Sequence, residues 1–137
     1  MFYSKARWCR IADFGLSTTR VESITATTSN IRNTNNVWRA PELLLKPGAK
    51  FTKEADVWSL GCVLFEIATG AVPWAGVSLD EVKSFYRDKQ CLEIPEEVDS
   101  LFVKLIQMCW QFEPKQRPTM REILKVIGNA GSESIGL

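Results

Sequence analysis

The sequence predicts a mainly α-helical domain, and three features carry that prediction. Residues 53–69 follow a helical pattern, are apolar on nearly every side and are followed by Gly70, a residue type that commonly ends helices. At 78–81 (SLDE) and 119–122 (TMRE) a hydroxyl side chain stands three residues before a glutamate, as in a helix-starting capping box. An apolar stripe also repeats between residues 101 and 112. We therefore expect four or five helices around one central apolar helix.

The chain before the central helix is expected to be less regular. Residues 7–12 suit a short strand, whereas residues 18–36 are dominated by Ser, Thr and Asn and lack an apolar period. Such a stretch buries too little surface to offset the entropy lost on ordering, so we expect a mobile loop. Residues 40–46 suit a short helical turn, and PGAK at 47–50 is a turn signal.

Three further helices are expected after the central one. The first occupies residues 78–89, the second begins near Asp99 and is ended by Pro114, and the last begins at the second capping box. Residues 129–137 are expected to form a flexible tail, as chain termini commonly do.

Composition argues against several function classes. The 137 residues suffice for one domain, and a net charge of +1 gives no field that favours nucleic acid or an anionic membrane. Four widely spaced cysteines and the absence of histidine argue against a zinc site and favour buried thiols in a reducing compartment. The longest apolar run, at 57–68, contains Glu66 and is too short to span a bilayer. We therefore expect a cytoplasmic protein.

A series of short motifs carries the functional signal. Each occurs by chance on its own, but together they appear in a fixed order, with a Ser/Thr-rich loop between the first two. They are Asp13-Phe14-Gly15, Ala40-Pro41-Glu42, DVWSLG at 56–61, GAVPW at 70–74, and Cys109-Trp110 followed by Pro114 and Arg117-Pro118-Thr119.

This series resembles the C-terminal part of a eukaryotic protein kinase domain. The WRAPE stretch and the CW…P…RPT ending are most similar to the tyrosine-kinase-like group of Ser/Thr kinases. The resemblance implies a partial kinase domain at 1–128, with an activation segment at 13–42 and the helical C-terminal lobe at 43–128. The Gly-rich loop, the strand lysine and the catalytic loop of that family have no counterpart in the sequence, which contains no histidine for a His-Arg-Asp motif.

The resemblance assigns Asp13 to metal binding. A hard carboxylate oxygen there would hold Mg²⁺ against the phosphates of ATP in the complete parent domain, with Phe14 packed beneath it and Gly15 allowing the next turn. The alternative is an ordinary turn-forming aspartate. We expect no tight binding of ATP or Mg²⁺ by this chain alone, since it lacks the phosphate cradle and the catalytic base.

The activation segment offers candidate phosphorylation sites and a substrate-positioning stretch. A phosphate in the loop would add charge that an Arg cluster could hold, although a solvated loop without regulation is the alternative. The candidate phosphoacceptors are Thr25, Thr27, Thr28, Ser29 and Thr34, and the substrate-positioning residues implied by the resemblance are Asn35, Asn36, Val37, Trp38 and Arg39. Thr34-Asn35 departs from the family, which usually has Gly-Thr there.

Further residues are expected to be structural. The resemblance implies an ion pair between Glu42 and Arg117 that ties the end of the activation segment to the last helix. It also implies that Asp56 accepts hydrogen bonds from the catalytic-loop backbone, although a carboxylate there is favoured by the helix dipole as well. Trp58, Gly61 and Trp110 are expected to pack in the core.

These observations lead to one main functional hypothesis and two alternatives. The main one is part of a protein kinase catalytic domain, which phosphorylates protein Ser/Thr in its complete form but is inactive as this chain alone. The alternatives are a non-catalytic kinase-derived binding module and an unrelated helical domain. The expected partners are a protein substrate, and a missing upstream part or another protein that covers the central helix.

Overall fold

The computed structural model describes residues 10–12 and 36–133, with side chains to residue 131. Within this part no strand occurs, and the mainly helical prediction is confirmed. Residues 18–35 of the loop expected at 18–36 lie outside the described residues, as do residues 7–9 of the strand expected at 7–12, and residues 10–12 do not form a strand. The elements are a 3-10 turn at Asn36–Trp38, α1 (Pro41–Leu45), α2 (Lys53–Thr69), α3 (Leu79–Arg87), α4 (Ser100–Cys109), a 3-10 turn at Pro114–Gln116, and α5 (Met120–Glu133).

Helix α2 is the central element, with the bounds that the sequence predicts. The side chain of Thr52 accepts a hydrogen bond from the backbone N–H of Ala55, which satisfies one free donor at the helix start. Gly70 ends the helix in the left-handed conformation with φ 71°, and its N–H donates to the carbonyl of Glu66 at 2.8 Å. The buried face of α2 packs mainly against α4.

An aromatic cluster around Trp58 forms the centre of the core. Trp58 is 1% exposed, and its ring lies 5.4 Å from that of Tyr86, 6.1 Å from that of Trp110 and 5.5 Å from that of Phe112. The indole N–H of Trp74 donates to the Tyr86 hydroxyl at 3.0 Å, so that polar group is satisfied inside the cluster. The core thus joins α2, α3 and the C-terminal end of α4.

Both predicted capping boxes are present. Ser78 accepts from the N–H of Glu81 at 3.3 Å, and the Glu81 carboxylate accepts from the N–H of Ser78 at 3.0 Å. Thr119 and Glu122 make the same reciprocal pair at 3.3 and 2.7 Å. Hydrogen bonds from the hydroxyl and the N–H of Ser78 lower the pKa of Glu81, and those from the N–H and the hydroxyl of Thr119 lower the pKa of Glu122, since they favour the charged carboxylate. The helix starts of α3 and α5 are therefore set by local sequence.

Three helix ends differ from the prediction, and the first is that of α3, which ends at Arg87 rather than at residue 89. Helix α4 stops at Cys109, before Pro114, because the chain turns at Trp110 and the carbonyl of Gln111 accepts from the Arg117 side chain. Helix α5 runs to Glu133, so the flexible tail expected at 129–137 is wrong for residues 129–133. Gly128 and Gly131 each lower the helix propensity by about 1 kcal/mol relative to alanine, but a glycine does not by itself end a helix. Residues 134–137 lie outside the described part.

One face of α2 is exposed, although the helix is apolar nearly all round. Val63 is 43% and Ile67 is 65% exposed, and they lie on one side of the helix, four residues apart. We call these two residues the α2 stripe. In the described part, this side of the central helix therefore faces water. None of the helices in the described part combines the length and the hydropathy needed to cross a membrane.

The α2 stripe is expected to make the isolated chain prone to aggregation. Leaving a large apolar side chain in water forgoes about 1.5–3 kcal/mol that burial would supply. We expect Val63→Ser with Ile67→Ser to increase the monomer fraction measured by light scattering, while circular dichroism shows unchanged helix content. A wild-type chain that is already monomeric and unfolds cooperatively would contradict this prediction.

Candidate functional site

The 3-10 turn at Asn36–Trp38 lies in the segment assigned to substrate positioning. Two side chains of α2 hold this turn against the helix. The hydroxyl of Ser59 donates to the carbonyl of Trp38 at 2.7 Å. The indole N–H of Trp38 in turn donates to the carboxylate of Glu66 at 3.1 Å. Because Ser59 and Glu66 lie two helical turns apart on α2, they hold the turn at two points. The backbone that leads into α1 therefore has a defined position on the helix.

Glu42 and Arg117 form the ion pair that the resemblance implies. The two guanidinium nitrogens lie 2.7 and 2.8 Å from the two carboxylate oxygens, a bidentate arrangement. The Arg117 side chain is fully buried, and that of Glu42 is 18% exposed. The pair joins α1 to the segment that precedes α5, across 75 positions of the sequence.

The other donors of Arg117 are also used. Its Nε donates to the carbonyl of Gln111 at 2.7 Å, and one terminal nitrogen donates to the carbonyl of Glu54 at 2.9 Å. The guanidinium carbon lies 5.2 Å from the centre of the Trp58 ring, within cation–π range. A buried guanidinium with these partners links four parts of the chain: α1, α2, the turn after α4 and the aromatic cluster.

Gly61 lies at a point of close approach between α2 and the C-terminal end of α4. A Cβ atom at this position would lie 2.8 Å from Cβ of Cys109 and 2.8 Å from two atoms of the Trp110 ring. Real Cβ atoms do not approach other atoms so closely, so the position requires glycine. Gly61 and Trp110 therefore have the packing role that the sequence analysis expects.

Gly61→Ala is expected to lower the free energy of unfolding by about 1–3 kcal/mol, the usual cost of overpacking a core. The matched control is Gly128→Ala in α5, where an added Cβ meets no atom within 4 Å. That control is expected to be neutral or stabilising by up to about 1 kcal/mol, because alanine is the better helix former. Urea unfolding of both variants measures the difference, and equal effects would contradict the close-approach argument.

The three described cysteines are free, and burial makes their thiols unreactive. Burial raises the pKa of Cys62 to about 12, an effect that the indole groups of Trp110 and Trp58 partly offset. Burial also raises the pKa of Cys91 and of Cys109 to about 11. Since the thiolate is the nucleophile, none of the three suits catalysis. Cys9 lies outside the described residues.

The remaining predicted site residues either lack the expected contact or lie outside the described part. Asp56 lies in the first turn of α2, where partial burial raises its pKa, and the described residues give its carboxylate no hydrogen bond. Within residues 10–12 and 36–133, no group of three or more His, Cys, Asp or Glu side chains could hold a metal ion. Outside the described part lie the predicted metal ligand Asp13, with Phe14, Gly15, Thr25, Thr27, Thr28, Ser29, Thr34 and Asn35.

Ser59 and Glu66, which anchor the turn at Asn36–Trp38, were not predicted from the sequence. Ser59 carried no signal of its own, because a single serine in a helix is ordinary. Glu66 did carry one, since it is a carboxylate inside an otherwise apolar run. A charged residue there needs a polar partner, and that partner is the indole of Trp38.

Comparison with known proteins finds one matching family and several similar proteins. Residues 1–127 match the family described as protein tyrosine and serine/threonine kinase. The chain is 45% identical over 91 residues to the insulin-like growth factor 1 receptor of Xenopus laevis. It is 36% identical over 125 residues to the molluscan insulin-related peptide receptor of Lymnaea stagnalis. It is 33% identical over 111 residues to the tyrosine-protein kinase transforming protein Fps of an avian sarcoma virus.

These matches cover much of this chain and little of the relatives. They span 66%, 90% and 80% of the chain, but only 7%, 8% and 20% of the length of the respective relatives.

Proposed function

The chain belongs to the protein tyrosine and serine/threonine kinase family, and from this premise we propose that its complete domain transfers the γ-phosphoryl group of ATP to protein hydroxyl groups. The observation that carries the proposal is the buried pair of Glu42 and Arg117. It ties the Ala-Pro-Glu motif to the Arg-Pro-Thr motif, as expected for the base of an activation segment. The turn at Asn36–Trp38, held by Ser59 and Glu66, would then support the protein substrate.

We propose serine and threonine as the acceptor residues. The WRAPE stretch and the CW…P…RPT ending support this choice, since they are most similar to the tyrosine-kinase-like group of Ser/Thr kinases. A tyrosine acceptor is the second candidate, and the printed name of the Fps relative, a tyrosine-protein kinase, favours it. The two candidates predict different phosphorylated residues and are separated by the experiment below.

The chain alone is proposed to be inactive. Phosphoryl transfer depends on positioning the nucleotide and neutralising its charge, which is chemistry that Mg²⁺ supplies. In this chain Asp13 is the proposed ligand of Mg²⁺, and the sequence offers no Gly-rich loop, strand lysine or catalytic base beside it. The described helices would support the substrate and hold the base of the activation segment. The free thiols of Cys62, Cys91 and Cys109 favour a reducing compartment such as the cytoplasm.

A non-catalytic binding module is the alternative function, and the α2 stripe favours it. Val63 and Ile67 present apolar surface that another protein, or an upstream part of the same polypeptide, would cover. In this alternative the protein binds a partner and transfers no phosphate.

The proposal is tested with the natural polypeptide that contains this sequence, purified from its source. Incubation with radiolabelled ATP, Mg²⁺ and a mixed protein substrate is expected to label the substrate, and phosphoamino acid analysis is expected to show phosphoserine and phosphothreonine. Asp13→Asn is expected to abolish labelling, whereas Lys104→Ala, on the exposed side of α4, leaves it unchanged. Phosphotyrosine alone would support the second acceptor. Binding of partners without any transfer would overturn the kinase proposal.

A further inference from the structure

A groove beside the substrate-positioning turn is lined by positive charge. It has a volume of about 490 Å³ and lies between α1, the connection from α1 to α2, and α3, which packs against α1. Its charged lining residues are Arg39, Lys46, Lys83 and Arg87, and Phe51 contributes an apolar wall. We call this the basic groove.

No carboxylate lines the basic groove among the described residues. Of the two cations on α3, Lys83 pairs with Asp80 at 3.8 Å, and the Asp80 side chain is 97% exposed. An exposed pair of this kind contributes little, so it leaves Lys83 able to bind another anion. Lys83 and Arg87 also stand four residues apart in α3, where like charges weaken an isolated helix slightly.

The apolar part of the groove sets a second requirement for an occupant. Phe51 is 50% exposed, and leucines of α1 line the same groove. An occupant that matches both the cations and the apolar wall of the groove carries carboxylates close to an apolar side chain. Arg39 directly follows the turn at Asn36–Trp38, so the groove is continuous with the segment assigned to substrate positioning.

We propose that the basic groove binds an acidic segment of the protein substrate, in which glutamate or aspartate residues flank an apolar side chain. This inference rests on the proposed kinase function and adds the chemical class of the substrate. Cations that face the substrate attract acidic segments at a distance and disfavour basic ones. The lining of the groove includes no proposed ligand of ATP or Mg²⁺, so we expect the segment to bind without nucleotide.

The test measures binding to the natural polypeptide that contains this chain, without nucleotide, by fluorescence anisotropy. The probe is a short labelled peptide in which glutamates surround a leucine, and the matched peptide has glutamine at every glutamate. The acidic peptide is expected to bind at least about 10-fold more tightly, and the difference is expected to shrink as salt is added.

Variants locate the binding site. Lys83→Glu with Arg87→Glu is expected to weaken binding of the acidic peptide by about 10-fold or more, because it places like charges against the ligand. The milder pair Lys83→Gln with Arg87→Gln is expected to show an intermediate loss, and circular dichroism checks the fold of both. The control Lys104→Glu changes an exposed lysine on α4 and is expected to change affinity by less than about 2-fold.

The outcomes separate this inference from the proposed function. Equal binding of the glutamate and glutamine peptides, or an equal loss in Lys104→Glu and the α3 variants, would overturn the groove assignment. Self-association or binding to anionic vesicles that is lost in the α3 variants, with no binding of the acidic peptide, would also overturn it. Tight, groove-dependent binding of the acidic peptide without phosphate transfer would keep the groove and reject the kinase activity.

Discussion

Replacing Glu42 by alanine is expected to lower the free energy of unfolding by about 3–5 kcal/mol, because the substitution leaves the Arg117 guanidinium buried without its counter-charge. The Arg117 side chain is fully buried, and both of its terminal nitrogens lie within hydrogen-bond distance of the Glu42 carboxylate. Urea unfolding followed by circular dichroism measures the loss. The background is the chain with Val63→Ser and Ile67→Ser, in which the α2 stripe is polar.

A double-mutant cycle assigns that loss to the pair. Arg117→Met removes the charge but keeps an apolar stem, and we expect the double variant to lose less than the sum of the two single losses. The matched control is Asp80→Ala, which breaks the exposed pair with Lys83 and is expected to cost less than about 1 kcal/mol. Additive losses from Glu42→Ala and Arg117→Met would show that the two side chains are not coupled.

Trp58→Ala is the second substitution with a large expected effect, about 3–5 kcal/mol. Its ring is 1% exposed, packs on three other aromatic rings and lies beneath the guanidinium of Arg117. The cavity left by the indole is too enclosed to collapse fully. The same urea unfolding experiment measures the loss, with near-UV circular dichroism to report on the aromatic cluster.

The control for Trp58→Ala lies on the same helix. Ile67→Ala truncates a side chain of α2 that is 65% exposed, and it is expected to change stability by less than about 0.5 kcal/mol. If the two substitutions cost the same, the division of α2 into a buried and an exposed face would be wrong.

Local signals explain why much of the fold could be predicted. The start and end of α2 follow from the helical pattern and from Gly70, and both capping boxes act within four residues. The end of α4 could not be predicted from local signals, because it depends on the hydrogen bond that the Arg117 side chain donates to the carbonyl of Gln111. The length of α5 was missed because glycines lower helix propensity without stopping a helix that is already formed.

The candidate site was predictable only in part. Glu42 and Arg117 are 75 positions apart, and no pattern in the sequence links them, so their pairing was expected only from the resemblance to protein kinases. The contacts of Ser59 and Glu66 with Trp38 depend on how the turn is placed on α2. Such contacts between distant parts of the chain are determined by tertiary packing and cannot be predicted from local propensity.

Whether this chain forms part of a protein kinase catalytic domain is decided most clearly by experiments on the native protein. An antibody against residues 128–137 would isolate the natural polypeptide, and its size and its ATP-dependent phosphorylation of protein would be measured together. We expect a native polypeptide clearly longer than 137 residues that transfers phosphate, and we expect its Asp13→Asn variant to lack this activity. A native polypeptide of this length that binds partners and transfers no phosphate would contradict it.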